Sequence, residues 1–467
     1  MKKLFTLSLL SVTLLFTSCF EDLDDNEQLA STSDIQNFIY RGLNFFYLYK
    51  ADTPELANDA FANDGELNDF LDTYETPEAL FEFLKSPQDR FSILVDDYIA
   101  LENAINGVSV SNGMEFGLVF YPDMSGNLFG YVRYVLPNTD AANEGIQRGD
   151  IFNRIDGQQI TESNFNNLLS PDTYTIGLAT FDGQTITPIQ DEIELTKIQY
   201  EENPVFLART LDVDGQNVGY LMYNSFTRNF DEALNNAFGQ FQAEGVTELV
   251  LDLRYNGGGS VETATDLAGM ITGQFNNQIF YTEEWNADRQ EDYAEPGFFD
   301  STISNGNNTN SLNLTRVYVL TTRRSASASE LVINSLAPYI DVVQIGQNTA
   351  GKFQASFILY DAPAPNFSRS QANPGHTYAM LPLVFKTVNT AGNTDFIDGL
   401  VPDIEQNEDF SNLGMLGDPN EPFLATALSQ ISGAPRPALP TTLQLEETYG
   451  SDEQSPVFQL MYVDIRE

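Results

Sequence analysis

The chain has 467 residues, 42% of them apolar and 12% aromatic, which suits about three domains and argues against wholesale disorder. Its 67 acidic and 22 basic residues leave a formal net charge of −45, so attraction to phosphate backbones is unfavourable and nucleic acid is not an expected partner. One Cys, Cys19, and one His, His376, exclude an intrachain disulfide framework, a thiolate zinc cluster and any site needing two imidazoles.

The first residues read as an address. Lys2 and Lys3 supply positive charge, and the 13 residues from Leu4 to Phe16 are largely apolar, too few to span a bilayer but suited to a secretory signal. Thr17 and Ser18 before the lone Cys19 resemble the lipobox of bacterial lipoproteins. That resemblance implies removal of residues 1–18, lipidation of Cys19 and an exported, membrane-anchored protein, with the outer membrane as the expected site, on its periplasmic or cell-surface face. Residues 19–34 are too acidic to pack and form a tether. Acidic residues directly after the lipidated Cys also resemble the surface-export signals of Bacteroidetes lipoproteins.

Four segments follow. Across 35–108, Phe38, Leu43, Phe46, Leu80, Phe81 and Leu84 recur at helical spacing, broken at Thr53-Pro54 and Thr76-Pro77, which predicts a helical N-terminal domain. Across 109–200 short β-rich runs alternate with Gly-Asp and Asp-Gly turns. Across 201–432 strands and amphipathic helices alternate, the pattern of an α/β layer fold. Residues 433–467, rich in Pro, Thr and Glu, read as a loosely attached tail. The Asn-rich run Gln274 to Leu314 reads as a surface insertion rather than a core element.

Within the second segment, Val135 to Gly157 predicts a short helix at Ala141 to Glu144, a stop at Gly145, a Gly149-Asp150 turn and a strand ending at Asp156-Gly157. This order resembles the PDZ signature of bacterial proteases. PDZ domains take an extended peptide as an added strand and hold its terminal carboxylate in a loop of backbone N–H groups. The resemblance places that peptide-binding loop near Glu115 to Val119, with Phe116, Gly117 and Leu118 at its centre.

Two places in the third segment carry chemistry. In Thr247 to Ser260 a buried-strand run, Glu-Leu-Val-Leu-Asp, leads to Gly257-Gly258-Gly259 and then a helical pattern. Converging N–H groups at such a turn suit a phosphate or the oxyanion of an acyl-transfer intermediate. The turn matches neither GxxxxGK[ST] nor a GxGxxG followed by an acidic residue, which removes the phosphate reading. In Arg316 to Ser335 another strand leads into Ser325-Ala-Ser-Ala-Ser-Glu330, and a Gly351-Lys352 turn follows the next strand. A lysine that loses its hydration becomes neutral near pH 7 and can take a proton from a serine, so a Ser–Lys pair dispenses with histidine. No SxxK or GxSxG occurs, so neither the penicillin-binding pattern nor the α/β-hydrolase elbow competes.

The sequence of helical domain, PDZ signature, Asp-Leu-Arg-x-Asn-Gly-Gly-Gly, Ser-Ala-Ser-Ala-Ser-Glu and Gly-Lys resembles the C-terminal processing (tail-specific) serine peptidases, over about Ser111 to Ser432. The resemblance implies a multidomain α/β fold: an N-terminal helical domain, a PDZ-like β-rich domain and a crotonase-like α/β peptidase core. It implies Ser327 as nucleophile and Lys352, 25 residues on, as general base, with the N–H groups of Gly258 and Ala328 as the oxyanion hole. Ser325 and Ser329 are rivals by residue type. Many members carry Gln four residues after the Lys; here Ser356 stands there and Gln354 two residues after, so either could orient the amine. The implied partners are peptide or protein substrates, with no cofactor and no metal, and nothing in the chain specifies an oligomeric state. The missing Gln leaves a second reading: a peptide-binding lipoprotein on the same fold with weak or no turnover.

Overall fold

The computed structural model describes residues 29–436, 443 and 445–465. Cys19, the signal and most of the tether lie outside the described residues. Among the described residues no helix is long and apolar enough to cross a membrane.

Four helices open the chain: Thr32–Phe46, Asp64–Leu71, Pro77–Leu84 and Tyr98–Ile105. Ser31, Asn63, Thr76 and Asp97 precede them, each with a side-chain oxygen that accepts an N–H of the first turn, groups the helix itself leaves unpaired. Phe38, Leu43 and Phe46 are fully buried, and the Phe46 ring lies 5.2 Å from that of Phe357. The first helix therefore shares one continuous apolar core with the α/β segment, and this sharing brings the following loop, residues 86–92, over the peptide turns described below.

Strands Met114–Phe120, Leu128–Val135, Ile151–Ile155, Thr173–Phe181 and Ile186–Thr196 form an antiparallel sheet with its own core of Phe116, Leu118, Val132, Phe152 and Ile176. Short helices Asp140–Asn143 and Phe165–Leu169 pack Ala141, Leu168 and Leu169 into that core.

The α/β segment centres on a six-stranded sheet in the order Val205–Val213, Gln216–Tyr223, Glu248–Asp252, Arg316–Thr321, Asp341–Gly346 and Ile404–Glu405, parallel after the first pair. Strand alternation sends Leu249, Leu251, Val317 and Val319 to the face covered by helices Asp231–Ala243, Val261–Thr272 and Ala328–Leu336. Val250, Tyr318 and Leu320 face the helix Pro422–Ser432 on the other side. A parallel sheet buried on both faces explains the unbroken apolar runs in its strands. Three turns, 253–260, 322–327 and 347–352, leave the carboxyl ends of adjacent parallel strands, where open α/β sheets place their ligands.

Two expectations change. The run Gln274 to Leu314 is not a surface insertion: strand Ile279–Trp285 pairs with Leu383–Val388 in a second six-stranded sheet, and Phe280, Trp285, Phe299 and Ile303 are buried. Its aromatic content outweighs its Asn-rich turn, of which residues 304–308 are exposed. Among the described residues of the C-terminal segment, 445–465 are not loosely attached either. Strand Glu447–Gly450 extends the sheet of the β-rich unit beside Met114–Phe120, and Met461–Tyr462 pairs with Gly259–Ser260 and, through Tyr462, with Ser356. Composition hid this because Tyr449, Leu460, Met461 and Tyr462, the buried residues, are few among polar neighbours.

Candidate active site

The glycine turn rests on a buried charge cluster. Arg254 is fully buried between Asp252 and Glu421, 2.7 Å from each, and Tyr220 donates its hydroxyl to Asp252 at 2.7 Å. With every charge paired, the cluster holds the strand end rigidly. Beyond it, Gly258 and Gly259 adopt φ of +111° and +136°, conformations other residues avoid. A Cβ on Gly258 would stand 2.8 Å from Ser327 Oγ and 2.6 Å from the Leu460 carbonyl oxygen. Glycine is thus required both by backbone conformation and by the closeness of the serine.

The three serines of the next turn separate by their hydrogen bonds. Ser325 Oγ donates to the Leu253 carbonyl at 2.7 Å, and Ser329 Oγ to the Asn256 carbonyl at 3.0 Å; both hold the serine turn against the glycine turn. Ser327 Oγ is fully buried and has no hydrogen-bond partner. Ser327 also sits at φ +66°, ψ −116°, immediately before the helix Ala328–Leu336. A non-glycine residue held at positive φ stores strain of about 1–3 kcal/mol, and an unpaired buried hydroxyl adds to the cost, so a purely structural serine would not be expected here.

Lys352 is 1% exposed, and among the described residues its amine makes no ion pair. Burial pushes the amine down to about 7, against the opposing pull of the Asp89 and Glu330 carboxylates. The ammonium position lies 5.1 Å from the centre of the Phe91 ring. One carboxylate ties the two turns together. Glu330 accepts the N–H of Ser327 at 2.7 Å and of Lys352 at 2.9 Å on one oxygen, and the Gly351 N–H at 2.7 Å and the Thr349 hydroxyl at 2.5 Å on the other. Burial pushes Glu330 upward while these four donors oppose it.

The structure thus brings the backbones of Ser327 and Lys352 together on Glu330, with Gly258 packed against Ser327 and Ala328 next to it in the chain. Ala328 opens its helix, where N–H groups lack partners within the helix. The Gly258 N–H, by contrast, donates to Asn256 Oδ1 at 2.9 Å, so in this arrangement it is engaged within its own turn. No hydrogen bond joins the Lys352 amine to the Ser327 hydroxyl here. Of the two candidate orienters, Gln354 donates to the Tyr49 hydroxyl at 2.8 Å and Ser356 Oγ is buried without a partner, so neither holds the amine. Phe116, Gly117 and Leu118 are not in a loop but inside strand Met114–Phe120, bonded on both sides, because Phe116 and Leu118 alternate into the core of the β-rich unit. Of the three, Phe116 borders the cleft of about 590 Å³ that reaches Gly257 and Gly258.

Sequence reasoning missed the loop Ser86 to Ser92. Arg90 donates to the Gly351 carbonyl at 3.1 Å, Phe91 covers the Lys352 amine, and Asp89 accepts the Phe91 and Ser92 N–H groups at 2.9 Å each. The available signal was an Asp-Arg pair in a polar break after the helix Pro77–Leu84, in a chain with few cations.

Two family models match the chain: the S41 peptidase model over residues 217–405 and the S41 N-terminal domain model over residues 34–93, together more than half of its length. The chain belongs to peptidase family S41. A carboxyl-terminal-processing protease of Picosynechococcus is 26% identical over 306 residues, 62% of this chain and 66% of the relative. A carboxy-terminal-processing protease of Bartonella bacilliformis is 26% identical over 329 residues, 62% of this chain and 69% of the relative. A crystal structure from Bacteroides fragilis described as an S41 protease superposes with a TM-score of 0.67 at 28% identity, covering 85% of this chain and 97% of that one. The photosystem II D1 C-terminal processing protease shares the fold, with a TM-score of 0.50 at 19% identity over 87% and 99% of the two chains. S41 enzymes are serine peptidases, and the mixed α/β fold of this chain matches theirs.

For this S41 peptidase a lysine base predicts a simple pH profile. Only the neutral amine accepts a proton, so kcat/KM on an unfolded polypeptide should rise from pH 5, reach half its limit near pH 7 and level off above. Asp89 favours the charged amine, so Asp89→Asn should move the midpoint down by about 0.5–1 unit. A midpoint unmoved or raised in that variant would remove Lys352 as the titrating group.

Proposed function

We propose that the protein is an exported, lipid-anchored endopeptidase of the C-terminal processing type, which cleaves extended or C-terminal peptide segments through an acyl-enzyme on Ser327. The observation that carries this reading is a buried, unpartnered, conformationally strained serine hydroxyl, in a turn wired through Glu330 to a lysine whose burial leaves it partly neutral at pH 7. Lys352 takes the hydroxyl proton as Ser327 attacks the peptide carbonyl, then delivers it to the leaving amine. In the second half-reaction the amine activates water and the acyl group leaves as a carboxylic acid. The Ala328 N–H and a glycine N–H of the 257–259 turn, Gly258 once freed from Asn256, stabilise the oxyanion; one such donor is worth about 3–4 kcal/mol of barrier. Closing the gap between amine and hydroxyl requires a rearrangement on substrate binding, as hydrogen bonds at catalytic sites often tighten only in the complex.

In this reading the β-rich unit is a PDZ-like module whose strand Met114–Phe120 accepts substrate, and Cys19 carries the lipid. Gln354 and Ser356 are the groups available to steady the amine once it moves. The test is proteolysis of an unfolded polypeptide together with mass-spectrometric trapping by a fluorophosphonate. The expected result is one covalent adduct on Ser327, and loss of turnover by about 10³-fold or more in Ser327→Ala. An adduct on Ser325 or Ser329, or turnover surviving in Ser327→Ala, overturns the assignment. No cleavage by the unaltered chain would leave a peptide holder.

A further inference from the structure

The free edge of the β-rich sheet is occupied by the chain itself. Glu447–Gly450 runs antiparallel to Met114–Phe120, pairing Glu447 with Val119, Tyr449 with Leu118 and Gly450 with Gly117, which is the geometry of an extended peptide added to a sheet edge. Tyr449 fills an apolar pocket: it is 8% exposed, and its ring centre lies 4.6 Å from that of Phe165 on the neighbouring helix. Ser451 Oγ accepts the Phe116 N–H at 3.0 Å and donates to the Glu115 carboxylate at 2.6 Å.

Charge completes the fit. Arg133, its side chain 2% exposed, reaches Glu447 at 2.6 Å and Asp452 at 3.0 Å. Arg324, in the turn that carries Ser327, contacts Glu447, and also Asp452 at 2.9 Å and Glu453 at 2.8 Å. The same segment then crosses the nucleophile. Gln459 N would stand 3.3 Å from a Cβ on Gly257, and the Leu460 carbonyl lies against Gly258, next to Ser327. Met461 and Tyr462 pair with Gly259 and Ser260. One run of chain therefore fills the peptide edge and roofs the serine, which is fully buried.

We propose that residues 447–460 are an intramolecular stand-in for substrate: they hold the enzyme closed until an extended peptide carrying a carboxylate and, two residues later, an aromatic side chain displaces Glu447 and Tyr449. The inference rests on the peptidase reading above and assigns its regulation and the class of its activating peptide. The ligand chemistry follows from the occupant. An edge strand can be replaced by any extended backbone, but displacing the strap through Glu453 takes Glu447, Asp452 and Glu453 away from Arg133 and Arg324, which would then be buried and unpaired, so a neutral peptide cannot replace the strap without large cost.

The test uses a fluorescein-labelled peptide with the sequence of residues 445–453, Leu-Glu-Glu-Thr-Tyr-Gly-Ser-Asp-Glu, and the full chain carrying Ser327→Ala, so that binding is read without turnover. Anisotropy should show at least tenfold tighter binding when Glu447→Ala and Tyr449→Ala are added, with the affinity lost for a peptide bearing Ala in place of Tyr. Equal affinity with and without the strap substitutions overturns the proposal. Because the double variant could be misfolded, hydrogen exchange is followed in parallel on the unaltered chain. Excess peptide should accelerate exchange at 447–451 while 116–119 stay protected, and unchanged exchange at saturating peptide also overturns it. In the Ser327-intact chain the same peptide should raise kcat/KM on an unfolded polypeptide several-fold. Failure of all turnover with the binding results intact would fault the peptidase reading and leave the strap standing.

Discussion

Lys352→Met should abolish peptide cleavage and, at pH 6, leave the protein more stable than the unaltered chain. The first effect follows from losing the base that the proposed mechanism assigns to Lys352, and a drop of about 10³-fold or more is expected, as for removal of a nucleophile's base elsewhere. The second follows from burial. Met keeps the unbranched shape of the lysine stem and carries no charge to desolvate. In the folded chain the amine titrates near 7, whereas unfolded it titrates near 10.5. Below pH 7 both states are protonated and the folded state bears the full cost of a buried ammonium. Between about 7 and 10.5 the unfolded state binds the extra proton, so the stability of the lysine form rises with pH, and above that window the cost is gone. Denaturant unfolding should therefore show Lys352→Met ahead by about 2–4 kcal/mol at pH 6 and close to parity at pH 10.5. A variant less stable at pH 6 would mean that the ammonium is well solvated or paired in the folded protein, and the catalytic role would fall with it.

Glu330→Gln is expected to damage both stability and rate. The carboxylate accepts four donors, two on each oxygen. A glutamine amide can serve only one pair, and its NH₂ would then face two further donors, an arrangement that costs about 1–3 kcal/mol for each group left unsatisfied. The predicted loss is about 2–4 kcal/mol in unfolding free energy, with a fall in kcat of about 10²-fold because the serine and lysine turns are no longer held in one frame. KM should move little, since Glu330 is fully buried and does not border the cleft. A variant that keeps kcat while losing stability would assign Glu330 to folding alone.

Ser325, Ser327 and Ser329 look alike in a string, and the spacing to Lys352 and the family resemblance single out Ser327. The structure gives an independent reason, because its two neighbours are committed to the Leu253 and Asn256 carbonyls and Ser327 is not. The same resemblance supplied Gln354 and Ser356 as orienters, yet Gln354 is bonded to Tyr49, a residue 305 positions earlier in the chain.

What the chain determines by itself is what depends on neighbours within a few residues. The helix caps at Ser31, Asn63, Thr76 and Asp97, the unbroken apolar strands at 248–252 and 316–321, the glycine turn and the Gly-Lys turn all follow from local conformation and side-chain period. What only the tertiary structure decides are pairings between distant segments: Asp89 and Phe91 over Lys352, Glu330 between two turns, and Glu447 to Ser451 on the edge of Met114–Phe120. Each depends on which surfaces meet, and Glu447, Thr448, Gly450 and Ser451 around one tyrosine carry no periodic sign that they will extend a sheet. Their partner edge exists only after the sheet has formed and left one row of backbone groups unpaired.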